Sequence, residues 1–176
     1  PRELHEIFLA PFRRVIREAH PLGVMCSYND WNGEPVASSR WFLTDLLRGE
    51  YGFDGYVVSD SDAVEFVHTK HAVAETPADA ARMVLEAGLN VRTNFTPPEE
   101  FTKLVRAEYD AGKLSESVID ARVAEVLSVK FRLGLFDSPY LGDAENADRL
   151  AGMEKHLDFV DRMQGESLVL LKNEQN

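Results

Sequence analysis

The chain has 176 residues, 44% of them hydrophobic and 28% charged, with a net charge of −11, an ordinary composition for a globular chain with one sizeable core. No apolar run approaches the roughly 20 residues of a membrane helix, and so acidic a chain repels phosphate backbones and anionic lipid, so neither nucleic acid nor membrane is an expected partner while a neutral sugar remains compatible. The single cysteine, Cys26, excludes an intrachain disulfide and a cysteine-rich zinc site, and its apolar neighbours mark it as a buried, inert thiol.

In chain order, the opening Pro1-Arg2-Glu3-Leu4 is neither an initiator Met nor a signal peptide and reads as the middle of a longer chain. Residues 2–19 read as an amphipathic helix, with Leu4, Ile7, Phe8, Phe12, Val15 and Ile16 at helical spacing. Residues 21–28 are short and apolar, which suits a buried strand. Ser38 or Ser39 can cap a helix through Trp41, Leu43, Leu46 and Leu47. A turn at 52–55 leads to a second buried strand, Tyr56-Val57-Val58. Residues 77–87 form a helix that stops at Gly88, and 89–91 are a third short strand candidate. Pro97 and Pro98 open the next helix, with Glu99 and Glu100 favouring its N-terminus. Residues 115–131 form another, with Ile119, Val123, Val126, Leu127 and Phe131 on one face. Residues 134–148 read as a linker, 149–166 as a last helix, and 167–174 as a strand opening a further domain.

Alternating strands and helices argue for an α/β fold with a parallel sheet. An open doubly wound sheet fits, and so does the last part of a (β/α)8 barrel; three strands cannot close the barrel. Both architectures put function at the C-terminal ends of the strands. There the chain reads Ser27-Tyr28-Asn29, Ser59-Asp60 and Arg92-Thr93. An Asp straight after Tyr-Val-Val is either a turn or cap residue or a carboxylate aimed into a pocket, where it could attack an anomeric carbon. Tyr28 could hydrogen-bond it or a sugar, or be a core tyrosine with its hydroxyl at the rim. Trp31 and Trp41 offer faces for sugar stacking, although Trp41 also fits core packing.

Two other readings are weaker. Asp60-Ser61-Asp62 after a strand is similar to the Asp-x-Asp of phosphatases that form an aspartyl phosphate, with Gly142-Asp143 and Asp148 imitating their later acidic motif. No strand precedes Gly142, and the order of elements is wrong. His68 and His71 beside Asp62 and Glu65 suggest a metal site, against which a solvated polar loop is the better reading.

The segments Val24-Met25-Cys26-Ser27-Tyr28-Asn29, Asn32-Gly33-Glu34-Pro35, Leu43-Thr44-Asp45-Leu46-Leu47-Arg48 and Tyr51-Gly52-Phe53-Asp54-Gly55-Tyr56-Val57-Val58-Ser59-Asp60 together closely resemble glycoside hydrolase family 3. Phe131-Arg132-Leu133-Gly134-Leu135-Phe136-Asp137 and Ser167-Leu168-Val169-Leu170-Leu171-Lys172-Asn173-Glu174 extend the resemblance over nearly the whole chain. It implies the C-terminal part of an N-terminal TIM-like barrel over 1–133, a linker and helix over 134–166, and the start of an α/β sandwich domain over 167–176. It makes Asp60 the nucleophile of a retaining, exo-acting β-glucosidase, Tyr28 its hydrogen-bonding neighbour and Met25 a residue lining the same subsite.

The alternatives are a β-xylosidase of the same family and a non-catalytic fragment. Ser61 stands where the family usually has Trp, and Ser59-Asp60-Ser61-Asp62-Ala63 is closer to the xylosidase branch. Asn90 replaces a usual Asp. The family's Lys-His pair and its sugar-binding Asp and Arg lie upstream of Pro1, and the acid/base Glu lies downstream of Asn176, so neither Glu65 nor Glu75 is assigned that role. No cofactor or metal is expected. The expected partners are a carbohydrate substrate and the rest of the same chain or a further copy of it, and the resemblance favours a periplasmic or secreted location.

Overall fold

The computed structural model describes residues 2–140, 142 and 144–174. It divides into two compact units, Pro1–Gly134 and Leu135–Asn176.

In the first unit, a π-helical turn, Leu4–Phe8, closes through the Leu9 N–H to the Leu4 carbonyl at 2.8 Å and runs into α1 (Ala10–Ala19). The expected helix is therefore present, but only Leu4 and Ile16 are buried in it, and Ile7, Phe8, Phe12 and Val15 stay exposed. β1 (Gly23–Cys26) pairs in parallel with β4 (Tyr56–Ser59), placing Gly23 opposite Tyr56 and Cys26 opposite Ser59. β1 is not the buried strand its composition suggests. Among the described residues no strand covers its other edge, and Met25 is 58% exposed.

Between the two strands, β2 (Asp30–Trp31) and β3 (Glu34–Pro35) form a short hairpin. Asn32 and Gly33 turn it with φ of 53° and 84°, a conformation that Asn and Gly tolerate best. A π-helix, Trp41–Glu50, buries Leu43, Leu46 and Leu47, and Ser39, not Ser38, supports its start by accepting from the Phe42 N–H. The chain then turns at Gly55, where a Cβ would lie 2.2 Å from the Leu22 carbonyl oxygen. Only glycine lets β4 begin so close to the backbone leading into β1.

After β4, a helix not expected from the sequence, α2 (Ala63–Thr69), precedes α3 (Pro77–Ala87). Thr76 caps α3 by accepting from the Asp79 N–H at 3.0 Å, and Gly88 ends it at φ 122°. The third strand candidate reduces to one parallel bridge, Val58 to Val91. The reason is local: Asn90 turns its side chain into the ladder, and its Oδ1 accepts from the Val57 N–H at 2.7 Å. Helices α4 (Pro98–Asp110) and α5 (Glu116–Arg132) follow.

The apolar stripe expected to bury α5 is only partly covered, with Ile119 and Val126 partly buried. Val123, Leu127 and Phe131 are exposed and only Val129 is buried. α5 is held by polar groups. Glu125 pairs with Arg122 at 2.7 Å and with Arg48 at 3.0 Å, while the Asn90 amide donates to Glu125 at 2.6 Å and to the Arg122 carbonyl at 3.0 Å. Val57, Val67, Val84 and Leu89 fill the centre of the core beneath.

The second unit holds α6 (Ala144–Leu150) and α7 (Glu154–Ser167). The expected single helix over 149–166 is thus broken at Gly152, φ 68°, and the expected linker contains helix. Residues 168–173 form no strand, and Leu168 to Leu171 are at least 75% exposed. An apolar run becomes a strand only beside a partner, and none stands among the described residues.

The Asn90 network gives a physical reason for an amide at this position. Asn90→Asp exchanges the donor facing Glu125 for a second carboxylate oxygen and is expected to cost about 2–3 kcal/mol. Glu125→Gln added to that variant restores a donor opposite an acceptor and recovers most of the loss. Denaturant unfolding of the intact protein checks this, and additive losses in the double variant would refute the pairing.

Candidate active site

The loop after β4 contains two aspartates that the backbone treats differently. Along the strand, Val57 and Ser59 point inward, at 0% and 1% exposure, so Asp60 emerges on the other side and remains partly exposed. Ser59 fixes the strand end twice. Its N–H donates to the Val91 carbonyl and its Oγ accepts from the Thr93 N–H, both at 2.8 Å. Asp60 Oδ1 accepts from the Ser61 N–H at 2.7 Å, and the Asp60 carbonyl accepts from Ala63 at 3.1 Å, which starts α2.

Asp62 takes the turn. It sits in the left-handed region at φ 63°, its N–H donates to the Thr93 carbonyl at 3.2 Å, and its carboxylate accepts from the Asn94 amide. Asp62 thus occupies the left-handed turn, while Asp60, a turn or cap candidate by sequence, starts α2 through its carbonyl and accepts from the Ser61 N–H through its side chain. Asp143, the later element of the phosphatase-like pattern, lies outside the described residues.

Tyr28 meets Asp60 from the end of β1. Burial pushes its phenol above the ordinary value, and the Asp60 carboxylate, as hydrogen-bond acceptor and as a charge, pushes the same way, with Asp62 adding to it. Its ring packs on Phe66 at 5.4 Å and 46°. Cys26 is buried, as expected, and burial raises its thiol to about 11; the Asp60 charge adds to the rise and the Asp60 backbone N–H opposes it.

Met25, exposed on β1, lines an open cavity of about 600 Å³ with Leu4, Phe12, Trp31 and Phe42, and Tyr28 and Asp60 are not among the residues lining it. Trp31 therefore faces this cavity, while Trp41 packs edge-on against His5 and Phe42.

The remaining polar candidates are engaged elsewhere. Glu65 pairs with Arg92 at 2.6 Å, and Glu75 is exposed. His68 contacts the Ala74 carbonyl and His71 the Tyr28 carbonyl, each at 2.9 Å, so each histidine spends a ring nitrogen on main chain. They lie on and just after α2, not in a free loop. The contact between His71 and Tyr28 spans 43 residues, and no motif or spacing announced it.

Residues 1–129 match the family model described as the glycosyl hydrolase family 3 N terminal domain. A β-xylosidase of Formosa agariphila is 33% identical over 99% of this chain and 25% of its own length. A periplasmic β-glucosidase of Salmonella typhimurium is 34% identical over 98% of this chain and 22% of its own. Among solved structures, a β-glucosidase from Erythrobacter marinus superposes with a TM-score of 0.79 at 39% identity, covering 96% of this chain and 22% of that one. The chain spans about a quarter of the length of these relatives.

The division between the two aspartates can be measured. Asp62→Ala loses the Asn94 bond and leaves a β-carbon in the left-handed region with no local hydrogen bond to favour it, a combined cost of about 1–2 kcal/mol. Asp62→Asn keeps an acceptor and a residue suited to that region, and is expected within about 0.5 kcal/mol of wild type by denaturant unfolding.

Proposed function

Because the chain belongs to the glycosyl hydrolase family 3 N-terminal domain family, we propose that Asp60 is the nucleophile of a retaining β-glycosidase. The observation that carries this reading is the contrast between Asp60 and Asp62. Asp62 is tied into the backbone turn, and Asp60 stands at a strand end before a protonated phenol. A tyrosine phenol is protonated at neutral pH in any case, so Tyr28 can donate there, and burial and the Asp60 carboxylate push it further in that direction. Asp60 attacks the anomeric carbon and forms a glycosyl-enzyme ester. An acid/base carboxyl from outside these residues protonates the departing oxygen and then activates water.

In this reading residues 1–133 are the C-terminal part of a (β/α)8 barrel, residues 134–166 a linker and helix, and 167–176 the first strand of a second domain. Met25, exposed on β1, lines the subsite once the rest of the barrel is in place. The substrate is a carbohydrate with a terminal, non-reducing β-D-glucosyl residue. β-Xylosidase is the second reading, favoured by Ser59-Asp60-Ser61-Asp62-Ala63 and by the Formosa relative. The Salmonella and Erythrobacter proteins support glucose. The two sugars differ by one hydroxymethyl group, which a pocket rejects strongly only where it hydrogen-bonds that group.

In the intact protein, Asp60→Ala is expected to lower kcat on an aryl β-glucoside by at least about 10³-fold, because it removes the reaction path. Asp62→Asn is expected to keep kcat. Azide should partly rescue Asp60→Ala and yield the α-glycosyl azide, since a small anion can enter the vacated space from the same face. Near-normal kcat in Asp60→Ala, or an α-configured first product from wild type, would overturn the reading. A higher kcat/KM on the aryl xyloside than on the aryl glucoside would move the assignment to the second sugar.

A further inference from the structure

We propose that His71 is a positioning residue for this site: it grips the Tyr28 main chain and thereby sets where the Tyr28 phenol meets Asp60. The proposal rests on the reading of Asp60 as nucleophile.

Tyr28 lies beyond the last paired residues of the sheet, Cys26 and Ser59, so no ladder holds it. Its carbonyl accepts instead from His71 Nε2 at 2.9 Å. A carbonyl only accepts, so this nitrogen must carry the proton. His71 is partly buried and is itself fixed, its N–H donating to the Phe66 carbonyl at 2.8 Å. Phe66 presents its ring to the Tyr28 ring at 5.4 Å. One turn at the end of α2 therefore holds Tyr28 by both backbone and ring.

The same helix begins from the Asp60 carbonyl through the Ala63 N–H. The contacts run from Asp60 through α2 and His71 to Tyr28, and the Tyr28 phenol in turn feels the Asp60 carboxylate. Cutting this path at His71 leaves the Tyr28 ring contact but frees the backbone that aims the phenol. A displacement of about 1 Å in a catalytic neighbour is enough to cost up to about 10²-fold in rate. With Nε2 committed to a carbonyl, His71 acts as a clamp on the Tyr28 main chain in this geometry.

The test uses the intact protein and the pair His71→Gln and His71→Asn. The longer amide can place an N–H where Nε2 stands, and the shorter one cannot. His71→Asn is expected to lower kcat about 10–30-fold with KM changed less than about threefold, and His71→Gln to recover most of that loss. Added to Tyr28→Phe, His71→Asn should cost less than about threefold further, because both act through one hydroxyl. A second readout needs no turnover. By NMR of ¹³Cζ-labelled tyrosine, identified with Tyr28→Phe, the Tyr28 phenol should titrate above its ordinary value in wild type and His71→Gln, and fall back toward it in His71→Asn.

Unchanged kcat and unchanged Tyr28 titration in His71→Asn would overturn the proposal, as would full additivity with Tyr28→Phe. An active Asp60→Ala would remove the nucleophile reading, and the titration would still decide whether His71 holds Tyr28.

Discussion

The amide of Val57 sits at 0% exposure in the middle of β4, where an unpaired N–H would carry the full cost of its lost water. Its partner is the side-chain oxygen of Asn90, not a neighbouring strand. The other end of that side chain donates to Glu125 and to the Arg122 carbonyl, and Glu125 in turn holds Arg48, which donates to the Gly55 carbonyl at 2.8 Å. One side-chain amide thus links β4 to α5, to the π-helix that carries Arg48 and to the turn before the strand. An asparagine suits the position because it offers acceptor and donor at once, where a carboxylate offers only acceptors.

The height at which β4 leaves the core follows from that anchoring. Two residues past Val57, Ser59 is locked inward by the 91–93 segment, and Asp60 emerges next, before the Asp62 turn. Backbone conformation separates two aspartates that look equivalent in the sequence. The one in the left-handed turn is absorbed by Asn94; the one directly after the strand is left near a phenol.

The elements legible in the sequence were those with local signals: the helix over 77–87 with its Gly88 stop, Pro98 at the start of α4, and the Tyr-Val-Val run of β4. The hairpin at Asn32-Gly33 carried an equally local signal that its neighbouring motif obscured. What could not be read was decided by contacts made in the folded chain. The strand at 89–91 is shortened where the Asn90 side chain takes the Val57 N–H, and α5 is tied down by an Arg and Glu network while Val123, Leu127 and Phe131 stay exposed. The segment 168–173 has no partner strand among the described residues. In the site, Asp60 and Tyr28 were visible as strand-end residues, whereas His71 acts across 43 positions, beyond any periodicity.

Cys26 gives the site an internal clock. It is the chain's single thiol, 4% exposed, opposite Ser59 in the strand register and under the influence of Asp60. Thiol reagents attack the thiolate, which burial makes scarce here at neutral pH, so labelling waits for a fluctuation that exposes the sulfur. The labelling rate of this one atom therefore reports local opening of the scaffold on which Asp60 stands. It does so without substrate, and it separates breathing of the scaffold from events in the chemistry above it.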